Sequence, residues 1–457
     1  MGVKMTAFLY FAFLILIVAI GFTVFRRPMY EVIFGAFVLL TVLTGKITSI
    51  FTYMTGAANT YLLYTIAAFI CFSIFFEKTG IISDMIHIII ALVGRFSGGA
   101  GYVAILASAA MGALSGTGPG NAAAIGVITI PTMKKTGFPS ELAATVEMAA
   151  SSLGPVIPPS GAIVILFGAL DAFSPHTYTF SQFWLLAWVV SFWFLLHRFL
   201  TLFFLIRKYD VKPIPKEERM PFGQALKKGW KTLLLPIVIF APFFVDAFYN
   251  TSFVADRLGE AGAAASANIL LTTIPSIAIA FVAVLYVMKG NRFSFHSLVD
   301  CLKDGISGVA PVIIMAYAGF CITELFNDIG VAESISLFVA DKQIPLWFAA
   351  VICPLIFTVL GMFMEVTSLF VLLGPVYIAL AAAAGINPML AAMMVNPMTC
   401  AMGHMTPPFA LCFYVCMGIA ESDFKETTKL SVIWCVGQYV LTILILYGLV
   451  PMFGLLG

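Results

Sequence analysis

The chain has 457 residues, 61% of them hydrophobic and only 10% charged, with a formal net charge of +2. A soluble domain carries about 25% charged residues, so a soluble enzyme or binding module is excluded as the body of this chain. A balance this close to neutrality also gives no nucleic-acid surface.

Apolar runs of about 20 residues recur from end to end, which predicts an all-α polytopic protein set in a phospholipid bilayer. The first half is read over residues 1–206. Its scaffold spans fall at about 5–76: Met5 to Phe25, Met29 to about Gly45, and about Ala58 to Phe76. The first run is too long for a signal-peptide core and lacks a clear cleavage site, so it is expected to be a retained span. A short amphipathic arm helix follows at about 81–94. Within 98–133, Tyr102–Leu114 and Ala122–Met133 flank a glycine-rich turn at 115–120. Each is too short to cross, so the pair reads as a re-entrant hairpin. A long element at about 140–171 is broken at Gly154-Pro155-Val156-Ile157-Pro158-Pro159. Proline removes a backbone donor and clashes with the preceding turn, so the helix must open there. A plain span at about 183–206 closes the half.

A basic connector, 207–230, leads to a second half over 231–457 that repeats the order. Scaffold spans are expected at about 231–326, an arm helix at 331–343 and a hairpin at 346–384. A helix at 389–420, broken between Gly403 and Pro408, and a last span at 430–455 complete it. Gly112, Pro139, Gly154, Pro158 and Pro159 recur 249 positions later as Gly361, Pro388, Gly403, Pro407 and Pro408. With the connector placed in the cytoplasm, Arg26-Arg27, Lys78, Arg95, Lys134-Lys135, Lys289, Arg292, Lys303, Lys425 and Lys429 also fall inside, and both termini fall in the periplasm. The first hairpin then opens inward and the second outward. Such inverted-topology repeats are the plan of secondary transporters with a site at midplane.

A helix that begins at membrane depth offers free N–H groups and a positive dipole end. Helix starts near Ala122 and Ser368 would therefore suit an anion, and the hairpins and broken helices hold no basic residue near a break. Carbonyls of Gly154, Ile157 and Pro159 with the Ser115 and Thr117 hydroxyls would make a small oxygen cage of the kind sodium prefers. Gly403, Thr406 and Pro408 with Thr367 or Ser368 would make a second. Glu365, ionisable at depth, serves either this site or a local cap. Asn121, Ser160 and Asn396 are candidate substrate contacts, and the two asparagines equally suit holding helices together. His404 reads as a core histidine before a proton relay. The eight cysteines form no CxxC pair and read as packing residues. There is no HExxH or GxSxG motif and the five histidines are scattered, so neither an enzyme nor an organic cofactor is expected. Two crossed hairpins would also obstruct an open channel.

The stretches S-G-T-G-P-G-N-A-A-A-I-G, A-S-S-L-G-P-V-I-P-P-S, L-G-M-F-M-E-V-T-S and G-H-M-T-P-P-F resemble the large membrane subunit of tripartite ATP-independent periplasmic (TRAP) transporters. The similarity runs over nearly the whole chain. It implies an elevator-type carrier of the bacterial inner membrane that takes up an organic carboxylate with two or more sodium ions. It also implies a small four-helix membrane subunit and a periplasmic substrate-binding protein. No four-helix extension precedes Met5, so the small subunit is expected as another chain. The family's sodium-ligating positions fall on Ser115 and Thr117 with Gly154, Ile157 and Pro159, and on Glu365, Thr367 and Ser368 with Gly403, Thr406 and Pro408. This chain has Glu365 where many members have Asp, and a Gly-Pro-Gly first tip where many have a second serine. The other reading of the same plan is a stand-alone sodium- or proton-coupled di- or tricarboxylate carrier that needs no binding protein.

Overall fold

A computed structural model describes residues 9–456 except 11–12, 15, 19, 22–23, 80–81, 159, 176, 250–252, 292–293, 332–333, 335–343, 363–365 and 408–409. The described residues are almost wholly helical and contain no strand. In chain order the first helices are α1 (Met29–Leu43), α2 (Ile50–Asn59), α3 (Tyr61–Lys78) and α4 (Ile82–Val93). Then come α5 (Gly99–Ser115), α6 (Gly118–Lys135), α7 (Ser140–Ser151), α8 (Gly161–Phe173) and α9 (Phe180–Ile206). The second half has α10 (Phe222–Gly229), α11 (Leu234–Tyr249), α12 (Ala255–Met288), α13 (Phe295–Asp328), α14 (Cys353–Gly361), α15 (Val366–Ala383), α16 (Pro388–Asn396), α17 (Leu411–Ala420) and α18 (Phe424–Leu446).

Several boundaries differ from the sequence expectation. A separate helix, α2, occupies what reads as a linker before the third span. The connector carries α10, whose buried face is Ala225 and Gly229. Helices α12 and α13 begin well before the apolar runs Ile269–Met288 and Ile306–Phe326, because their first turns are too polar for an apolar-run count. Gly259 breaks the dihedrals inside α12 with φ 72°. The second arm helix, 331–343, lies largely outside the described residues.

Four described stretches, Phe180–Ile206, Lys216–Tyr249, Ala310–Asp328 and Phe424–Leu446, are long and apolar enough to cross a bilayer. The helices around the breaks are different. α7 has 12 residues, α8 13, α16 9 and α17 10. At 1.5 Å per residue none reaches across a hydrocarbon core of about 30 Å.

The short helices pack in exchange. α7, the first part of the first broken helix, lies with the hairpin α5–α6 and also with α17, the last part of the second broken helix. α8 lies against α15 and α16 of the other half. One buried core therefore joins Ile130, Leu142 and Met148 to Met405, Phe413 and Cys416. Another joins Leu166 and Phe167 to Phe370, Tyr377 and Met394. A third core, Ile33, Phe37 and Leu40 with Met315, Ala318 and Ile322, sets α1 on α13 away from the breaks. The arm helix α4 is tied to the end of α12 by Lys289 Nζ at 2.6 Å from the buried Asp84.

Glycine lets the broken backbone close on its own hairpin. A methyl on Gly112 would sit 2.4 Å from Gly154 Cα, and one on Gly403 would sit 2.5 Å from the Gly361 carbonyl oxygen. Neither distance is tolerable for real carbon, and the obstacle is backbone. Gly112→Ala and Gly403→Ala should each lower stability by about 1–3 kcal/mol, as overpacking does. Gly418→Ala, at an exposed helical position with nothing within 4 Å, should be neutral or raise stability by up to about 1 kcal/mol. Thermal unfolding of the three purified variants in detergent checks the contrast.

Candidate functional site

The first tip is built by its glycines. Gly116 stands at φ 65° and its N–H bonds the Gly112 carbonyl, which ends α5. Thr117 is extended, and α6 starts at Gly118 with Pro119 in its first turn. That start precedes the expected Ala122, because proline is well accommodated where a helix N–H has no partner to lose. In the other half α15 likewise begins at Val366, before Ser368.

The tip lies against the first break. A methyl on Gly154 would meet the Thr117 carbonyl oxygen at 2.9 Å, and one on Gly116 would meet Ser160 Cβ at 3.4 Å. Thr117, Gly154 and Ser160 are thus brought together. Buried carbonyls here need donors. Pro155 O accepts from Ser160 Oγ at 2.5 Å and from Asn396 Nδ2 at 2.6 Å. Val156 O accepts from Ser191 Oγ of α9 at 3.0 Å. Among the described residues the Gly154 and Ile157 carbonyls accept no hydrogen bond.

The second break arrives at the same place. α16 runs into a π turn at Pro397–Ala401, and Thr358 of α14 donates to Met398 O at 3.3 Å. Thr406 Oγ1 donates back to Met402 O at 2.6 Å. His404 lies over the start of α6: a methyl on Gly118 would be 2.6 Å from its Nδ1. The bond from Asn396 to Pro155 joins the end of α16, ahead of the second break, to the first break. Of the remaining sequence candidates, Pro159, Glu365 and Pro408 lie outside the described residues, and for Ser115, Thr367 and Ser368 only the helical backbone is described.

The three candidate substrate contacts are engaged with the protein itself. Ser160 caps α8, accepting from Ile163 N–H at 3.4 Å while donating to Pro155. Asn121, fully buried, donates to Ser108 O at 2.8 Å. The Oδ1 atoms of Asn121 and Asn396 are both buried and find no hydrogen-bond partner among the described residues.

Three polar residues that the motif reading did not single out complete the locus. Glu147 of α7 is 0% exposed and accepts from Ser108 Oγ at 2.5 Å and Thr129 Oγ1 at 2.6 Å. Arg198 of α9, also 0% exposed, donates from Nε to Ala149 O at 2.8 Å and from a terminal nitrogen to the Gln438 side-chain carbonyl. Gln438 in turn donates to Pro397 O at 2.9 Å. The hairpins and broken helices hold no basic residue near a break, so α9 supplies one from outside, and α18 relays it to the second break. A charged residue inside an apolar span is the signal that could have marked both Glu147 and Arg198.

The described family "Tripartite ATP-independent periplasmic transporter, DctM component" matches residues 11–453. The chain belongs to this family. It is a transporter subunit, not an enzyme: a multi-pass inner-membrane component of a tripartite TRAP system for solute uptake. It is 26% identical over 417 residues to the C4-dicarboxylate TRAP transporter large permease protein DctM of Pseudomonas aeruginosa, covering 90% of each chain. It is 25% identical to the sialic acid TRAP transporter large permease protein SiaM of Vibrio cholerae, over 86% of each chain. The 2,3-diketo-L-gulonate TRAP transporter large permease protein YiaN of Escherichia coli is 24% identical, over 88% of this chain and 86% of that one. The fold is shared with the Alcanivorax borkumensis YdaH transporter, with a TM-score of 0.62 at 16% identity over 90% of each chain. Neisseria gonorrhoeae MtrF gives 0.61 at 13% identity, over 89% of this chain and 84% of that one.

Within this TRAP subunit, Arg198→Lys should cost about 2–3 kcal/mol, because one ammonium cannot serve the Ala149 carbonyl and the Gln438 amide in the fork geometry of a guanidinium. A drop in detergent melting temperature, with membrane insertion retained, is the expected reading.

Proposed function

We propose that this subunit carries an organic carboxylate inward with sodium, by an elevator movement of the broken-helix core against a scaffold of the longer helices. The two halves are read as inverted repeats, with both termini periplasmic and the 207–230 connector cytoplasmic. A periplasmic binding protein delivers the substrate, and a small four-helix membrane subunit in another chain completes the complex.

The observation that carries this reading is the approach of His404, in the second break, to Gly118 at the start of α6 beside the first tip, where a methyl on Gly118 would be 2.6 Å from its Nδ1. It puts two helix breaks, each closed by a glycine pair at matching positions, at one locus. Hard cations take oxygen ligands, and the Gly154 and Ile157 carbonyls beside Thr117 supply them without a side-chain charge. Gly403 and Thr406 occupy the corresponding place in the second half, with Pro159, Pro408, Ser115, Glu365, Thr367 and Ser368 completing the proposed ligand set. The positive ends of α6 and α15 favour an anion beside the cations. The names of the relatives support the substrate class: a C4-dicarboxylate, sialic acid and a diketo-gulonate are all acids.

In liposomes with its small subunit and binding protein, the wild type should accumulate a carboxylate substrate only under an inward sodium gradient. Equal uptake without sodium would remove the coupling claim, and uptake by this chain alone would favour the stand-alone carrier. Gly154→Val and Gly403→Val should each reduce initial uptake at least about tenfold, since a misplacement near 1 Å has large effects on a preorganised site. Wild-type rates in both variants would count against the ligand assignment.

A further inference from the structure

Beside the first break lies a cavity of about 310 Å³ that the reading above does not use. Met85 of α4, Ala110 of α5, Trp188 and Ser191 of α9, Pro236 of α11 and Ile157 of the break line it. The polar side-chain atoms of this wall are two. Ser191 Oγ is already engaged, donating to Val156 O at 3.0 Å. Trp188 Nε1–H is buried and finds no acceptor among the described residues. No charged residue lines the cavity, so it suits neither a sodium ion nor an acid substrate.

An apolar cavity of about 150 Å³ stays dry and takes up benzene, so one of this size and lining takes hydrocarbon in preference to water. Its mouth faces lipid. Phe192, also in the wall, is 51% exposed on α9, a helix long and apolar enough to cross the bilayer. The occupant that this position offers is the chain of a membrane lipid, whose ester carbonyls are acceptors of the kind that Trp188 lacks.

The rim at one end carries charge. Helix α10 packs on α4, and a methyl on Gly229 would be 3.1 Å from the carbonyl oxygen of Asp84, the residue before Met85. Around Gly229 stand Lys227 and Lys228, both exposed, and Lys231, half-buried. None of the three belongs to an ion pair among the described residues. No acidic residue occurs between Glu218 and Asp246, and the nearby Asp84 is already held by Lys289 at 2.6 Å. The chain from Lys231 runs as a 3₁₀ turn to Leu233 and then as α11 into the cavity wall at Pro236. At about 2.0 Å and 1.5 Å per residue these five steps rise about 9 Å. The head-group layer of a bilayer is about 5–8 Å deep on each side. A lipid whose chain lies on Pro236 therefore has its phosphate at the level of Lys231.

We propose that this cavity and its lysine rim form a binding site for one anionic phospholipid. Its head group lies on Lys227, Lys228 and Lys231, and one acyl chain enters between α4, α5, α9 and α11 as far as Ile157. Basic residues at the membrane surface select anionic lipids. The chain covers the Ile157 side of the first break, where opened backbone needs a cover from lipid and water alike. The orientation proposed above makes the donor leaflet the inner one; the site itself does not depend on sodium coupling or on the elevator movement.

Native mass spectrometry of the purified complex with its small subunit tests this without a transport assay. After mixing with equal phosphatidylglycerol and phosphatidylethanolamine, the wild type should retain one phosphatidylglycerol per complex. Ala110→Phe, which puts a ring into the cavity, should abolish that retention, and an undiminished signal overturns the proposal. Lys227→Gln, Lys228→Gln and Lys231→Gln together should lower the preference for phosphatidylglycerol at least about tenfold. Unchanged selectivity in the triple variant overturns it as well. The triple variant keeps the test decisive if Ala110→Phe does not insert, because its changes lie at exposed or half-buried positions. A lipid held by the large subunit alone and expelled by the small subunit would make the cavity a protein contact, and that too refutes the site. Sodium-independent uptake would remove the coupling claim and leave the lipid measurement standing.

Discussion

The structure depends on one constraint: backbone opened inside a bilayer must be closed over by protein. Here the closure is made by paired glycines. Gly154 lies on Gly112 and Gly403 on Gly361, so close that no Cβ fits between them. Each pair holds a broken helix against its own hairpin, and the open carbonyls are screened from lipid without a bulky side chain in the way. The other features follow from where those two closures lie.

Closing each break on its hairpin would leave two separate halves. The exchange of partners prevents that. α8 leaves the first break to pack on α15 and α16, and α17 leaves the second to pack on α6 and α7. The polar bonds follow the same crossing. Asn396 reaches Pro155, and Arg198 reaches Ala149 on one side and, through Gln438, Pro397 on the other. In low dielectric these bonds are strong when complete and costly when one partner is missing, so they fix the register of the two breaks. Among the described residues, the Gly154 and Ile157 carbonyls are left without a hydrogen bond beside these satisfied neighbours.

The same economy explains the buried charges. Arg198 is fully buried yet has a carbonyl, an amide oxygen and a histidine nitrogen as acceptors. Among the described residues Glu147 is held by two hydroxyls. A buried cation with several acceptors can stay charged in such a place. The TRAP subunit thus buries a guanidinium among several acceptors and a carboxyl between two hydroxyls.

Much of this was legible in the residues. Composition gave the membrane class, three prolines within six residues opened the first helix, and the recurrence of Gly112 and Gly154 as Gly361 and Gly403 pointed to two equivalent breaks. Those are local effects: proline and glycine act through their own dihedrals and their own missing atoms. The chain could not show that α8 and α17 change partners, that Asn396 serves the first break, or that Arg198 from a plain span reaches a carbonyl of α7. Such contacts join residues tens to hundreds of positions apart, and nothing in a local pattern encodes which distant face a helix will meet. Identity and spacing fixed where the backbone must open; only packing decided which side chains answer it.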